Sequence, residues 1–153
     1  MPMKAPQHGF TLLELLIVLC IIGILALSAY PSYRQAVLKT KRAEGNSALL
    51  RAMQQQEKYH TQHQRYAAYQ ETAPVKSLIW YSGSSAATSA YQISAAACTG
   101  HSLTQCVQLS ATPGGALVDD NFSDPLCGIL TLNSHGERSA AGHSLSSAPD
   151  VCR

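Results

Sequence analysis

Charge is what this sequence has least of. Only 13% of its 153 residues are Asp, Glu, Lys or Arg, against roughly 25% in an average soluble domain. Hydrophobic residues meanwhile stand at an ordinary 46%. So little charge excludes a highly charged disordered tail, and a net charge of +2 excludes a strongly basic nucleic-acid domain. Aromatic residues are scarce as well, at 7%, so a soluble core has to come from Leu, Ile, Val, Ala and Tyr. The ten glycines form no collagen-like repeat, and no glycine-rich phosphate loop or nucleophile elbow occurs. No enzyme activity, cofactor or metal site is expected.

The apolar content is concentrated. Residues 10–30 read FTLLELLIVLCIIGILALSAY, with Glu14 as the one charge. A hydrocarbon core about 30 Å thick needs roughly 20 apolar residues in a helix, so this run has the length and composition to span a membrane. Residues apolar on every side leave no face for water. The preceding MPMKAPQHG is short and polar and ends in Gly9, the reverse of a secretory signal, whose apolar centre comes before its cleavage site. Cleavage after Gly9 would leave the apolar segment on the mature chain as an anchor. Glu14 costs about 2.5–3.5 kcal/mol inside a bilayer and so asks for a partner. The α-amino group created on Phe10, from the same chain or a neighbour, is one candidate. A first-turn Glu reaching the headgroups and favoured by the helix dipole is the other.

Gly9-Phe10-Thr11-Leu12-Leu13-Glu14 followed by an unbroken apolar run resembles the processing site of type IV pilins and pseudopilins. The resemblance implies cleavage between Gly9 and Phe10 by a prepilin peptidase, N-methylation of Phe10, and a role for Glu14 in processing and filament assembly. It also implies the fold, α+β: a long N-terminal helix, membrane-spanning in its lower half, packed on a small antiparallel sheet. The partners it implies are other pilins, major and minor, the prepilin peptidase and the inner-membrane assembly machinery. The implied location is the inner membrane with the head in the periplasm, then the extracellular pilus.

Beyond the anchor the helical pattern continues past Pro31, where a missing hydrogen bond is expected to kink the axis. Ala43, Ser47 and Leu50, widened by Leu49 and Met53, are expected to form the buried face. Gly23 and Gly45 read as flexible or close-packing points. The segment is basic: Arg34, Lys39, Lys41, Arg42, Arg51, Lys58 and Arg65 face only Glu44 and Glu57. A juxtamembrane basic cluster ordinarily marks the cytoplasmic side, but the resemblance implies the opposite orientation and is the more specific signal. The expected divisions are a cleaved leader at 1–9, the spanning and filament-core helix at 10–30, its amphipathic upper half at 31–65 and a head at 66–153.

The head is net acidic and rich in Ser, Ala, Gly and Thr. Residues 82–90 read as a loop, and segments beginning at Tyr91, Cys106 and Gly128 alternate as strands do. Its four cysteines allow three pairings, and spacing alone does not choose among them. Disulfides are favoured over metal ligation on the exported side, since paired CxxC spacing is absent. The expected set is Cys98–Cys106, closing a hairpin loop, and Cys127–Cys152, pinning the C-terminal tail. Cys20 reads as a small hydrophobe. Asp119, Asp120 and Asp124 read as turn formers, and His60 and His63 as helix polarity. Tyr59, Tyr66 and Tyr69 read as packing at the junction of helix and head.

Cys127-Gly-Ile-Leu-Thr-Leu-Asn, Gly136-Glu-Arg, Ala141-Gly142, Cys152-Arg153, Lys39-Thr-Lys-Arg-Ala-Glu-Gly and residues 56–66 resemble a minor pilin branch. That branch holds pilus-assembly subunits and competence pilins that bind DNA uptake sequences. The resemblance implies a minor pilin, with double-stranded DNA as the alternative partner. Candidate DNA contacts are the cations Lys76, Arg138 and Arg153, for phosphates. His101, Ser102, Thr104 and Gln105 are the candidates for base edges.

Overall fold

A computed structural model of the chain describes residues 10–70 and 77–152, with the backbone alone at 28 and 29. Among these it forms a 52-residue helix, α1 (Leu12–His63), followed by strands β1 (Tyr91–Ala97), β2 (Val107–Pro113), β3 (Leu130–Asn133), β4 (Arg138–Ala140) and β5 (His143–Ser144). Short 3-10 turns occupy Ala86–Thr88 and Asp150–Cys152. The chain divides between Val37 and Leu38 into two units.

In the first unit α1 is assigned without a break through Pro31. Its large apolar side chains, including Leu12, Ile17, Ile21 and Leu25, are all exposed. The segment is long and apolar enough to cross a membrane.

In the second unit the strands follow one another across the sheet as an antiparallel meander, β1-β2-β3-β4-β5. Alternation puts Ile93 and Ala95 of β1, Val107, Leu109 and Ala111 of β2, and Leu130 and Leu132 of β3 on one buried face. Register aligns them across strands: Ala95 lies opposite Leu109, and Leu109 opposite Leu132. The free edge of β1 is covered by residues 69 and 81, with Ala95 N–H donating to the Tyr69 carbonyl at 2.9 Å and Ile93 N–H to the Trp80 carbonyl at 2.8 Å. Such covering removes an edge that would otherwise pair with another chain. Tyr66 and Tyr69 are buried in this core, and the Tyr69 hydroxyl donates to the Ile79 carbonyl.

The helix face on this core differs from the expected one. Ala43, Ser47 and Leu50 are exposed, Leu50 to 45%. The buried stripe is Arg42, Gly45, Ala48, Leu49, Ala52 and Gln56, a clean three-and-four spacing. Apolar spacing alone does not mark this stripe, because its two ends are polar residues whose bonds are made inside. Gln56 donates to the Ala67 carbonyl at 2.8 Å and accepts from Ala67 N–H at 2.9 Å, copying a strand pair. Gly45 lies flat against Tyr91: a Cβ there would meet the ring at 3.0 Å. Gly45 is therefore a close-packing residue, whereas Gly23 has nothing within 4 Å of such a position. The helix stops at Gln64, whose φ of 55° and N–H bond to the His60 carbonyl form a left-handed cap.

Candidate functional site

Three places bear on function. The first is the start of α1. Thr11 caps the helix: its hydroxyl accepts from Glu14 N–H at 3.2 Å, and the Glu14 carboxylate accepts from Thr11 N–H and hydroxyl, both at 3.0 Å. This reciprocal pair is a capping box. It gives the anomalous carboxylate donors within its own first turn, a partner the sequence reading did not name. Phe10 is exposed to 85%, and Gly9 lies outside the described residues.

The second place is the C-terminal region. A disulfide joins Cys127 to Cys152 with Cα atoms 5.5 Å apart. Beside it Asp124 is a turn former, as expected, since it accepts from Cys127 N–H, but it is also buried. Its carboxylate takes two bonds from the Arg42 guanidinium, at 2.6 and 2.7 Å, one from the Tyr91 hydroxyl at 2.9 Å and one from Cys127 N–H at 3.1 Å. Arg42 also donates to the Val151 carbonyl at 3.1 Å. Burial pushes the Asp124 carboxyl up, but the Arg42 bonds, with those from Cys127 and Tyr91, outweigh it and hold the group below the ordinary range. Tyr91 is pushed up by burial and by the adjacent Asp124. A charge can be buried when every lone pair is met, and here one arginine of the basic segment is spent on locking the helix to the tail.

The third place is residues 98–106, between β1 and β2. Cys98 and Cys106 are joined, with Cα atoms 5.4 Å apart, and Cys98 N–H donates to the Cys106 carbonyl at 3.3 Å. Gly100, at φ 77°, lets the chain turn. His101, Ser102, Thr104 and Gln105 are all exposed, so the loop gathers these candidates on one short segment. The Ser102 hydroxyl bonds the Thr104 hydroxyl at 2.6 Å. The Gln105 carboxamide oxygen accepts from Ser102 N–H at 3.1 Å and from its hydroxyl at 3.2 Å. Gln105 thus keeps its amide nitrogen to bond outside the loop, where a carboxamide can meet a base edge.

The loop is tethered to two other elements. Tyr66 N–H donates to the Leu103 carbonyl at 2.8 Å, and the His60 ring lies 3.4 Å from the Thr104 carbonyl while stacking on Tyr66 at 4.4 Å. The β3–β4 turn approaches from the other side. Its Ser134 N–H donates to the Val107 carbonyl at 2.9 Å, and the His135 ring stands edge-on to His101 at 6.1 Å. His60 and His135 were not among the expected site residues, because no spacing in the chain announces that residues 60, 101 and 135 share one end. Of the expected cations, Arg138 opens β4 opposite Leu132, half-buried. Lys76 and Arg153 lie outside the described residues.

The family described as "Type IV minor pilin ComP, DNA uptake sequence receptor" matches residues 31–131. The "Prokaryotic N-terminal methylation motif" matches residues 4–30. Type IV major fimbrial protein FimA of Dichelobacter nodosus is 53% identical over 45 residues, 29% of this chain. A second Dichelobacter nodosus sequence, named only as a fimbrial protein, matches to the same extent. The match spans 28% of the length of these relatives. Among solved structures, a type IV pilin from Shewanella oneidensis is similar at 23% identity and a TM-score of 0.42, covering 69% of this chain and 93% of that one.

Proposed function

This chain belongs to the type IV minor pilins described as ComP DNA uptake sequence receptors, and from that premise we propose that its head captures double-stranded DNA at the end formed by residues 98–106. The observation that carries the reading is the loop itself. A disulfide and two tethers, to Leu103 and Thr104, hold a cluster of polar side chains at the surface, and the expected cost of ordering them on binding is correspondingly small. Phosphate contacts position a protein on DNA, and base edges supply sequence choice. His101 and Arg138 suit the former, Gln105, Thr104 and Ser102 the latter, with Lys76 and Arg153 as further phosphate candidates. The role is one of binding, without catalysis.

The rest of the chain serves to display this head. Prepilin peptidase cuts between Gly9 and Phe10 and methylates Phe10. Residues 10–30 anchor the protein in the inner membrane with its head in the periplasm, and later enter the pilus core among other major and minor pilins, through the assembly machinery. Glu14, already presented at the helix start by Thr11, pairs with the amine of a neighbouring subunit.

A mobility-shift titration of the full-length chain in detergent tests the DNA reading. Affinity should fall steeply with salt, and absence of binding at low ionic strength overturns it. A deletion strain separates display from assembly: normal pili with lost transformation supports the DNA receptor, and lost pili supports a purely structural subunit. Substitution of Gly9 should leave an unprocessed precursor, and unchanged processing contradicts the anchor assignment.

A further inference from the structure

Four of the six histidines in the chain line the end of the head that carries residues 98–106. His60 and His63 come from the last turn of α1, His101 from the loop and His135 from the β3–β4 turn. Three of them have one ring nitrogen set against a backbone carbonyl. The His60 Nε2 faces the Thr104 carbonyl at 3.4 Å, the His63 Nδ1 the Tyr59 carbonyl at 3.0 Å, and the His101 Nδ1 the Thr99 carbonyl at 3.1 Å. A carbonyl oxygen only accepts, so in the neutral ring the nitrogen facing it carries the hydrogen and the other nitrogen is an acceptor. An acceptor offers a phosphate oxygen nothing. Protonation turns that second nitrogen into a charged donor while the first bond stays in place, so the ring is already oriented when it becomes able to bind.

We propose that this end of the head is a proton-gated phosphate-binding surface, which grips the DNA backbone when its histidines are protonated and slackens when they are neutral. The proposal rests on the DNA reading above and adds its regulation. Close in sequence to these rings the fixed charges are Lys58, Arg65 and Arg138 against Glu57 and Glu137, a net of +1. Both acids are engaged, Glu57 by the Tyr66 hydroxyl at 3.0 Å and Glu137 by the Asn133 amide at 2.6 Å. The Tyr66 phenol, pushed up by burial and by Glu57, stays neutral. Residues 99–105 contain no carboxylate or fixed cation, His101 being their one titratable group. Protonated rings would therefore enlarge a small positive charge rather than create it, and imidazole is the side chain suited to such a change under mild conditions. Each phosphate neutralised releases counterions and steepens the salt dependence by about 0.9 in a log–log plot.

The test is the affinity of the full-length chain in detergent for a labelled DNA duplex, at constant low salt, near pH 8 and near pH 6. Affinity should be about tenfold tighter at the lower pH, with a steeper salt slope. The triple variant His63→Gln, His101→Gln, His135→Gln should lose most of the gain, binding with nearly the same affinity at the two pH values. His143→Gln, on the far edge strand β5, should keep the gain. Binding that is equal at both pH values, or a gain that survives the triple variant, overturns the gate and leaves the DNA reading standing. No binding at either pH overturns both. Because the three substituted rings are exposed, thermal unfolding of the variant should match that of the parent, and a lowered midpoint with a lost gain counts against gating.

Discussion

Residues 98–106 and residues 127–152 are both closed by a disulfide, with Cα separations of 5.4 and 5.5 Å, and they use it for opposite ends. Around Cys127 the polar groups point inward: Asp124 collects four hydrogen bonds and binds the tail to Arg42 and Tyr91 of the core. Around Cys98 they point outward, bonded to one another and to backbone, with the loop held by its neighbours' main chains. The first arrangement ties the tail to the core, and the second leaves an exposed polar surface, the one proposed above to take DNA. The cross-link says little by itself about role. What differs is whether the polar side chains beside it are satisfied within the protein or left to be satisfied by something else.

The largest effect should come from breaking the inward arrangement. Asp124→Ala leaves the Arg42 charge buried without its partner and should cost about 3–5 kcal/mol, read as a lowered unfolding midpoint with little change in DNA affinity per folded molecule. Gly45→Val should come next. It drives side-chain carbon into the Tyr91 ring, already 3.0 Å from an added Cβ, for about 1–3 kcal/mol. Removing the disulfides in turn sharpens the contrast. Their sequence separations of 25 and 8 imply, on chain-entropy grounds, that loss of Cys127–Cys152 costs about 1 kcal/mol more stability than loss of Cys98–Cys106. DNA affinity should rank the other way, with the Cys98→Ser, Cys106→Ser pair binding more weakly. The smallest effect is that of mild acid on stability. The Asp124 carboxyl is held below its ordinary range, so its contribution is complete above the unfolded-state value of about 3.9 and is lost only as pH falls through the lower folded value. Unfolding midpoints should thus hardly respond to Asp124 between about pH 5 and 8 and should fall below about pH 4, and Asp124→Asn should flatten that acid limb. A midpoint that drops near pH 6 through Asp124 would contradict the assignment.

The helix long and apolar enough to cross a membrane, the N-terminal methylation motif and three of the strands are legible in the sequence because each is a local pattern: an unbroken apolar run, a short motif, an alternation of two. The buried face of the upper helix is not legible in that way. Arg42 and Gln56 look like surface residues, and only the distant Asp124 and the folded-back Ala67 make them interior ones. Asp124 itself sits in a run of aspartates that reads as a turn until Arg42 is brought against it. The loop candidates His101, Ser102, Thr104 and Gln105 could be singled out by their place between two cysteines. His60 and His135 could not, since the strand pairings and the Leu103–Tyr66 tether that bring them to the same end are long-range.

The most direct test of the central claim compares two sets of truncations for DNA affinity in the full-length protein at low salt. One removes the side chains of His101, Ser102, Thr104 and Gln105 to alanine; the other does the same at Ser144, Ser146 and Ser147, exposed polar residues of the C-terminal region. The first set should lose at least tenfold in affinity, in line with about 1–3 kcal/mol per base-reading contact, and the second should bind as the parent does. Equal affinities for the two, or a larger loss in the second, would contradict it.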